Sequence, residues 1–378
     1  MICYGGKMAE KSTYIRHLDS GGYVADNDFE EKNMSYNILK LLKIPYEIEY
    51  TNELVEYLMR IAECRPFFLD HLSKPLQFSL LRNAKVRAIT YSNQIEGNTL
   101  NEDQVGELVS KPKKDMSDNE VREVQNYADA LDYAEKLSSD KRPFKVSDFC
   151  DLQRLITDEL IQKDQLGKLR TIPVSIVNAA TGNTIDTCPG PHNLKAAMED
   201  LWKWLDDTKD VNPFLRAFAF HFMAVAVHPF ADGNGRTCRL MQHLLLLKSG
   251  EEIVRYVPSE TAIMYNRDDY YRAIRQTKKL GKLTPILEFL AKCFAESAEQ
   301  ITREAKDIVR KTDQSPESRR NNIVKLLRKK KEIKISDVVE LLSEIPRRTL
   351  ERDLENLCKE KKIKGIGEKR ARVYVVVP

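Results

Sequence analysis

The sequence predicts a mainly α-helical protein with one β-hairpin in its main body and a small basic unit of helices and strands at its C-terminus. Three observations carry that reading. Apolar residues recur at helical spacing through most of residues 51–311. A β-branched stretch at 171–178, turn residues at 181–183 and a second stretch at 184–187 interrupt that texture once. Residues 317–378 hold eighteen Lys and Arg against ten Asp and Glu, a net of +8 in a chain whose total is only +4. A chain of 378 residues, 42% hydrophobic, accommodates a main domain of ordinary size with smaller additions. The expected division is an N-terminal extension at 1–50, a main helical domain at 51–311 and a C-terminal unit at 312–378.

Taken in order, residues 1–33 are mixed and glycine-containing and read as an irregular arm. Leu54, Leu58 and Ile61 mark a helix over 51–64, and Leu76, Leu80, Val86 and Ile89 mark another over 75–95, stopped by Gly97-Asn98. Ser117-Asp-Asn-Glu120 matches a capping box and opens a helix that runs to 137, with Val124, Tyr127, Leu131 and Ala134 on one face. A further helix spans 146–161. The hairpin comes next; alone it is marginal, and both an idle surface hairpin and a functional flap fit it. Leu194, Met198, Leu201 and Leu205 give a helix over 192–207, and helices over 259–278 and 283–311 follow the central segment. Residues 311–317 are polar with a proline and read as a linker. Helices at 319–331, 336–342 and 347–361 and a hairpin at 364–377 complete the chain.

Composition excludes several classes. No apolar run approaches the roughly 20 residues of a membrane span, so no membrane partner is expected. The first residues lack a basic segment followed by an apolar one, so no secretory signal is expected. Seven scattered cysteines without a Cys-x-x-Cys pair fit free thiols and a cytoplasmic location. No Gly-x-x-x-x-Gly-Lys-Ser/Thr loop occurs, which excludes a P-loop enzyme.

The chemistry concentrates between His228 and Arg239. Apolar runs at 218–227 and 240–247 flank this polar segment, so it reads as helix, tight turn, helix. His228 offers a neutral imidazole that can take a proton from a hydroxyl near pH 7. Asp232 is either an oxygen ligand suited to Mg²⁺ or a cap on the following helix. Gly233 and Gly235 let the backbone approach a phosphate at a helix start, and Asn234 adds an amide. Arg236 and Arg239, three apart, share a helix face and can both reach a polyphosphate.

This stretch, His228-Pro-Phe230-Ala-Asp232-Gly233-Asn234-Gly235-Arg236-Thr-Cys-Arg239, resembles the full His-x-Phe-x-Asp/Glu-Gly-Asn-Gly-Arg-x-x-Arg signature of Fic-domain proteins, and the likeness extends over about 53–290. The resemblance implies a Fic-type helical fold and transfer of AMP from ATP to a Ser, Thr or Tyr hydroxyl of a target protein or of the chain itself. It makes His228 the base and gives the α-phosphate to Gly233, Asn234 and Gly235. It assigns Mg²⁺ to Asp232, the β-phosphate to Arg236 and a core anchor role to Phe230. The hairpin 170–187 matches the family's flap, on which a target segment adds as a strand. Ile176 and Val177 would then lie nearest the nucleotide, and Tyr270 and Tyr271 would line the adenosine side.

Upstream, Ser92-Asn-Gln-Ile-Glu96-Gly97 resembles the family's inhibitory-helix motif, Ser/Thr-x-x-x-Glu-Gly/Asn, placed near 92–97. Ser92 and Glu96 are i and i+4 and share a helix face. The resemblance pairs Glu96 with Arg239 through a two-pronged contact, which removes the γ-phosphate's partner and restrains the enzyme. The C-terminal unit resembles a winged helix-turn-helix module, with Arg347, Arg348 and Arg352 on a helix that faces DNA or a protein. Competing readings are AMP removal, phosphate transfer, or a DNA-binding regulator with a nucleotide-sensing core. The retained Gly235 favours AMP transfer over phosphate transfer. The side chains name no target, and a homodimer that covers or frees Glu96 stays open.

Overall fold

The apolar run that precedes His228 makes a helix buried on all its faces, and the first unit packs around it. In the computed structural model, residues 15–17, 23–25, 37–70, 72–110, 118–177, 184–313, 315–343, 345–367 and 372–377 are described. They divide into two units, 1–302 and 303–378.

The first unit begins with a small antiparallel sheet, β1 (Ile15–His17), β2 (Tyr23–Ala25) and β3 (Glu49–Tyr50), in place of a wholly irregular arm. Helices α1 (Asn37–Leu41), α2 (Asn52–Asp70), α3 (Lys74–Ile95), α4 (Glu102–Ser110), α5 (Asn119–Ser138) and α6 (Val146–Ile156) follow. Next come strands β4 (Ser175–Val177) and β5 (Thr184–Thr187), then α7 (Leu194–Asp207), α8 (Pro213–Val227), α9 (Asn234–Lys248), α10 (Ser259–Tyr265), α11 (Arg267–Leu280) and α12 (Thr284–Asp313).

Helix α8 begins where Asn212 accepts from the amides of Phe214 and Leu215, with Pro213 in its first turn. Its residues Phe214, Leu215 and Ala217 to Val227 are all buried. A helix apolar all round must lie inside a shell of others. Helix α9 packs against it, with α7 on α8 and with α5 and α6 on α9. Phe149 from α6 joins Trp202, Phe220 and Phe230 in a cluster of rings 5.2–6.0 Å apart. Phe230 is therefore buried in the core, where the resemblance placed it.

Several boundaries differ from the sequence expectation. Helix α5 is capped by Asp118, whose carboxylate accepts from the Glu120 amide; Ser117 lies outside the described residues. The Glu120 carboxylate, expected to close a capping box, instead accepts from the amide and hydroxyl of Thr99. The expected helix over 259–278 is two helices, α10 and α11, meeting at Asn266. The expected linker at 311–317 is mostly helical, because α12 runs to Asp313 and the next helix starts at Pro316.

The hairpin pairs β4 with β5 antiparallel, with an irregularity between Ile176 and Val177, and no other described strand joins it. Its expected turn at 181–183 and the side chains of Ile176 and Val177 lie outside the described residues. In the second unit, α13 (Pro316–Lys330), β6 (Glu332–Ile333), α14 (Ile335–Leu341), α15 (Arg347–Lys359), β7 (Ile363–Ile366) and β8 (Val373–Val376) surround their own core. That core includes Ile323, Leu327, Val338, Leu350, Leu354 and Tyr374, and the strands are ordered β6-β8-β7. Among the described residues no helix is long and apolar enough to cross a membrane.

Candidate active site

The turn between α8 and α9 is held open by its own polar atoms. His228 ends α8 in the left-handed region, φ 50° and ψ 61°, where a side chain with a Cβ is strained. Gly233 precedes α9 at φ 78°, and a Cβ there would also collide with the Thr157 methyl. Asn234 Nδ2 donates to the Phe230 carbonyl at 2.9 Å while its Oδ1 accepts from the Phe230 amide at 2.9 Å. The Asn234 side chain, expected to add an amide for the phosphate, is buried and staples the turn. Gln153 on α6 braces the same turn, donating to the Asp232 carbonyl at 3.1 Å and accepting from the Gly167 amide at 2.7 Å.

Burial holds the His228 imidazole below its ordinary value, with Arg170 adding to that effect and the Val225 carbonyl and Glu96 opposing it. The ring is neutral at pH 7 and able to accept a proton. Asp232 is exposed, with one carboxylate oxygen accepting from the Gly233 amide at 2.6 Å. Among the described residues no cluster of three or more His, Cys, Asp or Glu could cage a metal ion. A lone exposed carboxylate fits Mg²⁺, which takes one or two carboxylates and completes its shell with water and phosphate oxygens.

Arg239, on α9, is buried and grips the end of α3 at three points. Its Nε donates to Ser92 Oγ at 2.9 Å, and its Nη2 donates to the Ser92 carbonyl at 2.9 Å and to Glu96 Oε1 at 2.7 Å. The contact with Glu96 is thus one-pronged, and Ser92 supplies the rest. Glu96 caps α3 and leaves a third of its side chain open to solvent. Burial opposes its ionisation, but Arg239, with Arg236 and Arg267, more than offsets this and holds the carboxyl below its usual range. Its Oε1 lies directly over Gly235, where an added methyl would strike it.

Arg236 is also engaged. Its Nη1 lies 3.1 Å from Glu123 Oε1 on α5 and donates to Asn93 Oδ1 at 3.4 Å, while Glu123 Oε2 accepts from Asn98 at 2.9 Å. Glu123, Asn93, Gln153 and Arg170 escaped the sequence reading, because ordinary polar residues on helices and loops carry no local signature of a distant partner. Glu260, at the start of α10, is a further buried carboxylate near Arg239. Burial pushes it up to about 7, its own amide and Arg239 opposing.

Tyr270, expected on the adenosine side, has its side chain in the core. It is buried with its hydroxyl 2.9 Å from His221 Nε2, and His221 Nδ1 is 2.8 Å from Gln242 Oε1. Burial pushes His221 down to about 3, so it is a neutral core residue that fixes Tyr270. Tyr271 is half-buried against Tyr270, with Arg267 over its ring.

The turn between α8 and α9 thus brings together an imidazole, an exposed carboxylate, glycines at a helix start and two buried arginines, each paired with a carboxylate. Residues 143–246 match the model of the Fic/DOC family. Over 221 residues the chain is 29% identical to "Protein adenylyltransferase fic-1" of Caenorhabditis briggsae, covering 56% of this chain and 40% of that protein. It is 27% identical to "Protein adenylyltransferase Fic" of Nematostella vectensis over 247 residues, 63% of this chain and 54% of that one. The chain therefore spans about half the length, or less, of these relatives. A crystal structure of a Fic family protein from Desulfovibrio desulfuricans G20 superposes with a TM-score of 0.61 at 23% identity, covering 88% of this chain and 98% of that one, which shows a shared fold.

Proposed function

We propose that the chain is a protein adenylyltransferase that moves AMP from ATP to a Ser, Thr or Tyr hydroxyl, of a partner or of itself, and that Glu96 restrains it. The observation that carries this is the three-point grip of Ser92 and Glu96 on Arg239 beside the turn that holds His228. The names of the similar proteins and the match of residues 143–246 to the Fic/DOC family support the same chemistry.

In the transfer step the target hydroxyl oxygen attacks the α-phosphorus while His228 takes its proton. The bond from the α-phosphorus to the bridging oxygen breaks, and pyrophosphate leaves with that oxygen. A depressed imidazole pKa keeps His228 ready to accept the proton at neutral pH. The backbone amides of Asn234 and Gly235, at the start of α9, would face the developing phosphate charge, joined by the Gly233 amide once it leaves the Asp232 carboxylate. Arg236 takes the β-phosphate. Mg²⁺, bound through Asp232, supplies neutralisation of phosphate charge. The hairpin β4–β5, with no other described strand on either edge, offers a target segment backbone groups to pair with.

Glu96 blocks this arrangement in two ways. It occupies the Arg239 charge that a γ-phosphate needs, and its carboxylate stands over Gly235, where the phosphate would approach the helix start. Mass spectrometry of the Glu96→Gly protein after incubation with ATP and Mg²⁺ tests the reading. An AMP adduct on a hydroxyl residue with release of pyrophosphate is expected; a phosphate adduct with release of ADP would replace AMP transfer by phosphate transfer.

A second reading concerns the C-terminal unit alone. Its order of helix, short strand, two helices and two strands supports a winged helix-turn-helix module, and α15 presents Arg348 and Arg352 exposed, while Arg347 bonds Glu351 at 2.9 Å. Duplex DNA contact through this face predicts affinity that falls steeply with salt. Absence of binding by the full chain at low salt would leave a protein partner as the role of that face.

A further inference from the structure

Arg170 is a buried cation, and among the described residues no carboxylate lies within ion-pair distance of it. Its guanidinium instead serves three backbone carbonyls. Nε donates to His228 at 2.7 Å, Nη1 to Ile172 at 2.9 Å and Nη2 to Pro189 at 2.5 Å. Its own amide donates to the Pro229 carbonyl at 2.9 Å. Ile172 and Pro189 stand on either side of the hairpin, before β4 and after β5. One side chain thus ties both ends of the hairpin to the backbone of the base.

The tie has a purpose that a neutral residue could not serve. His228 sits in a strained left-handed conformation, and such a residue persists only where its surroundings over-determine it. Arg170 does so on the C-terminal side of His228, bonding the carbonyls of His228 and Pro229. Only a planar fork with five N–H donors reaches three carbonyls in fixed directions; a lysine ammonium, a compact charge on a flexible stem, does not.

We infer that Arg170 is the positioning residue that sets the hairpin against His228, so that a strand added to the hairpin carries its hydroxyl to the imidazole in one register. The inference rests on the adenylyl-transfer reading above. Arg170 touches no reacting atom; besides its electrostatic effect on the imidazole, it acts through the backbone of His228 and the two hairpin ends. Misplacement of reacting groups by about 1 Å can cost about 100-fold in rate, which is the scale expected here.

The test uses the full chain carrying Glu96→Gly, alone and with Arg170→Lys, Arg170→Gln or Arg170→Ala. Self-labelling by ATP labelled on the α-phosphate is followed over a series of ATP concentrations, together with amide exchange across 172–189. The expected result is a limiting rate about 100-fold lower in the Gln variant and less reduced in Lys, with the ATP concentration for half-maximal rate within about twofold of the parent. Faster exchange at both hairpin ends and partial recovery of the Ala variant by added guanidinium ion are also expected. Unchanged limiting rates would overturn the inference, as would a parallel loss of rate and ATP affinity with no change in hairpin exchange. A Glu96→Gly parent that fails to label sinks the transfer reading instead, and the exchange and thermal-melting comparison then decides the Arg170 tie by itself.

Discussion

Glu96 Oε1 meets Arg239 Nη2 at 2.7 Å directly above Gly235, the glycine whose missing side chain leaves room for that oxygen. On the proposed function one position serves two claimants, because a carboxylate and a phosphate would both seek the start of α9 and the Arg239 charge. Ser92 holds the guanidinium from behind through its hydroxyl and its carbonyl, so the arginine stays in place whichever acid occupies it.

Ser92→Ala removes one of the three points of that grip. A hydrogen bond from a charged group is worth about 1.5–3 kcal/mol, of which only a part separates the restrained from the ATP-bound state. The expected outcome is an intermediate self-labelling rate, roughly 3- to 10-fold above the parent and below Glu96→Gly. Initial rates with α-labelled ATP check it.

Glu123→Gln leaves the buried Arg236 without its carboxylate. The protein without nucleotide should melt at a lower temperature, since a buried charge that loses its partner is costly. The upward shift on adding ATP should then exceed that of the parent, because more of the Arg236 charge is left for a phosphate. Melting curves with and without ATP check both signs, and a smaller ATP shift would show that Glu123 orients Arg236 instead of competing for it.

Glu260 gives a pH dependence of defined sign. Its folded pKa of about 7 lies above the ordinary carboxyl value, so the folded state holds a proton that the unfolded state has lost. Stability from this group is present below about pH 4.5 and is lost as pH rises towards 7. Glu260→Gln should therefore melt above the parent at pH 8, by up to roughly 3 kcal/mol, and much closer to it at pH 5. Equal melting at both pH values would contradict the assignment.

How much was legible in the sequence follows from how local each feature is. The turn with His228, Asp232 and Gly233 to Gly235 is contiguous, so the order of residue types alone located it. Ser92 and Glu96 were singled out by the resemblance of their stretch to a family motif, with their spacing placing them on one helix face, and the structure brings both to Arg239. What spacing did not show is side-chain direction. Asn234 turns back to the Phe230 backbone, and Tyr270 turns inward to His221, which spacing cannot reveal. Glu123 and Arg170 were invisible because their partners, Arg236 and His228, lie far along the chain. The boundaries slipped where apolar periodicity continued across a local break, as at Asn266, or where polar residues 311–313 prolonged a helix.

The most direct measurement of the central claim compares the intact chain, Glu96→Gly, and Glu96→Gly with His228→Ala, each incubated with Mg²⁺ and ATP labelled on the α-phosphate. The account predicts weak self-labelling by the intact chain, at least about 10-fold more for Glu96→Gly, as loss of about 1.4 kcal/mol of restraint requires, and none once His228 is also replaced. Equal labelling with and without Glu96, or label that transfers only from the γ-phosphate, would contradict it.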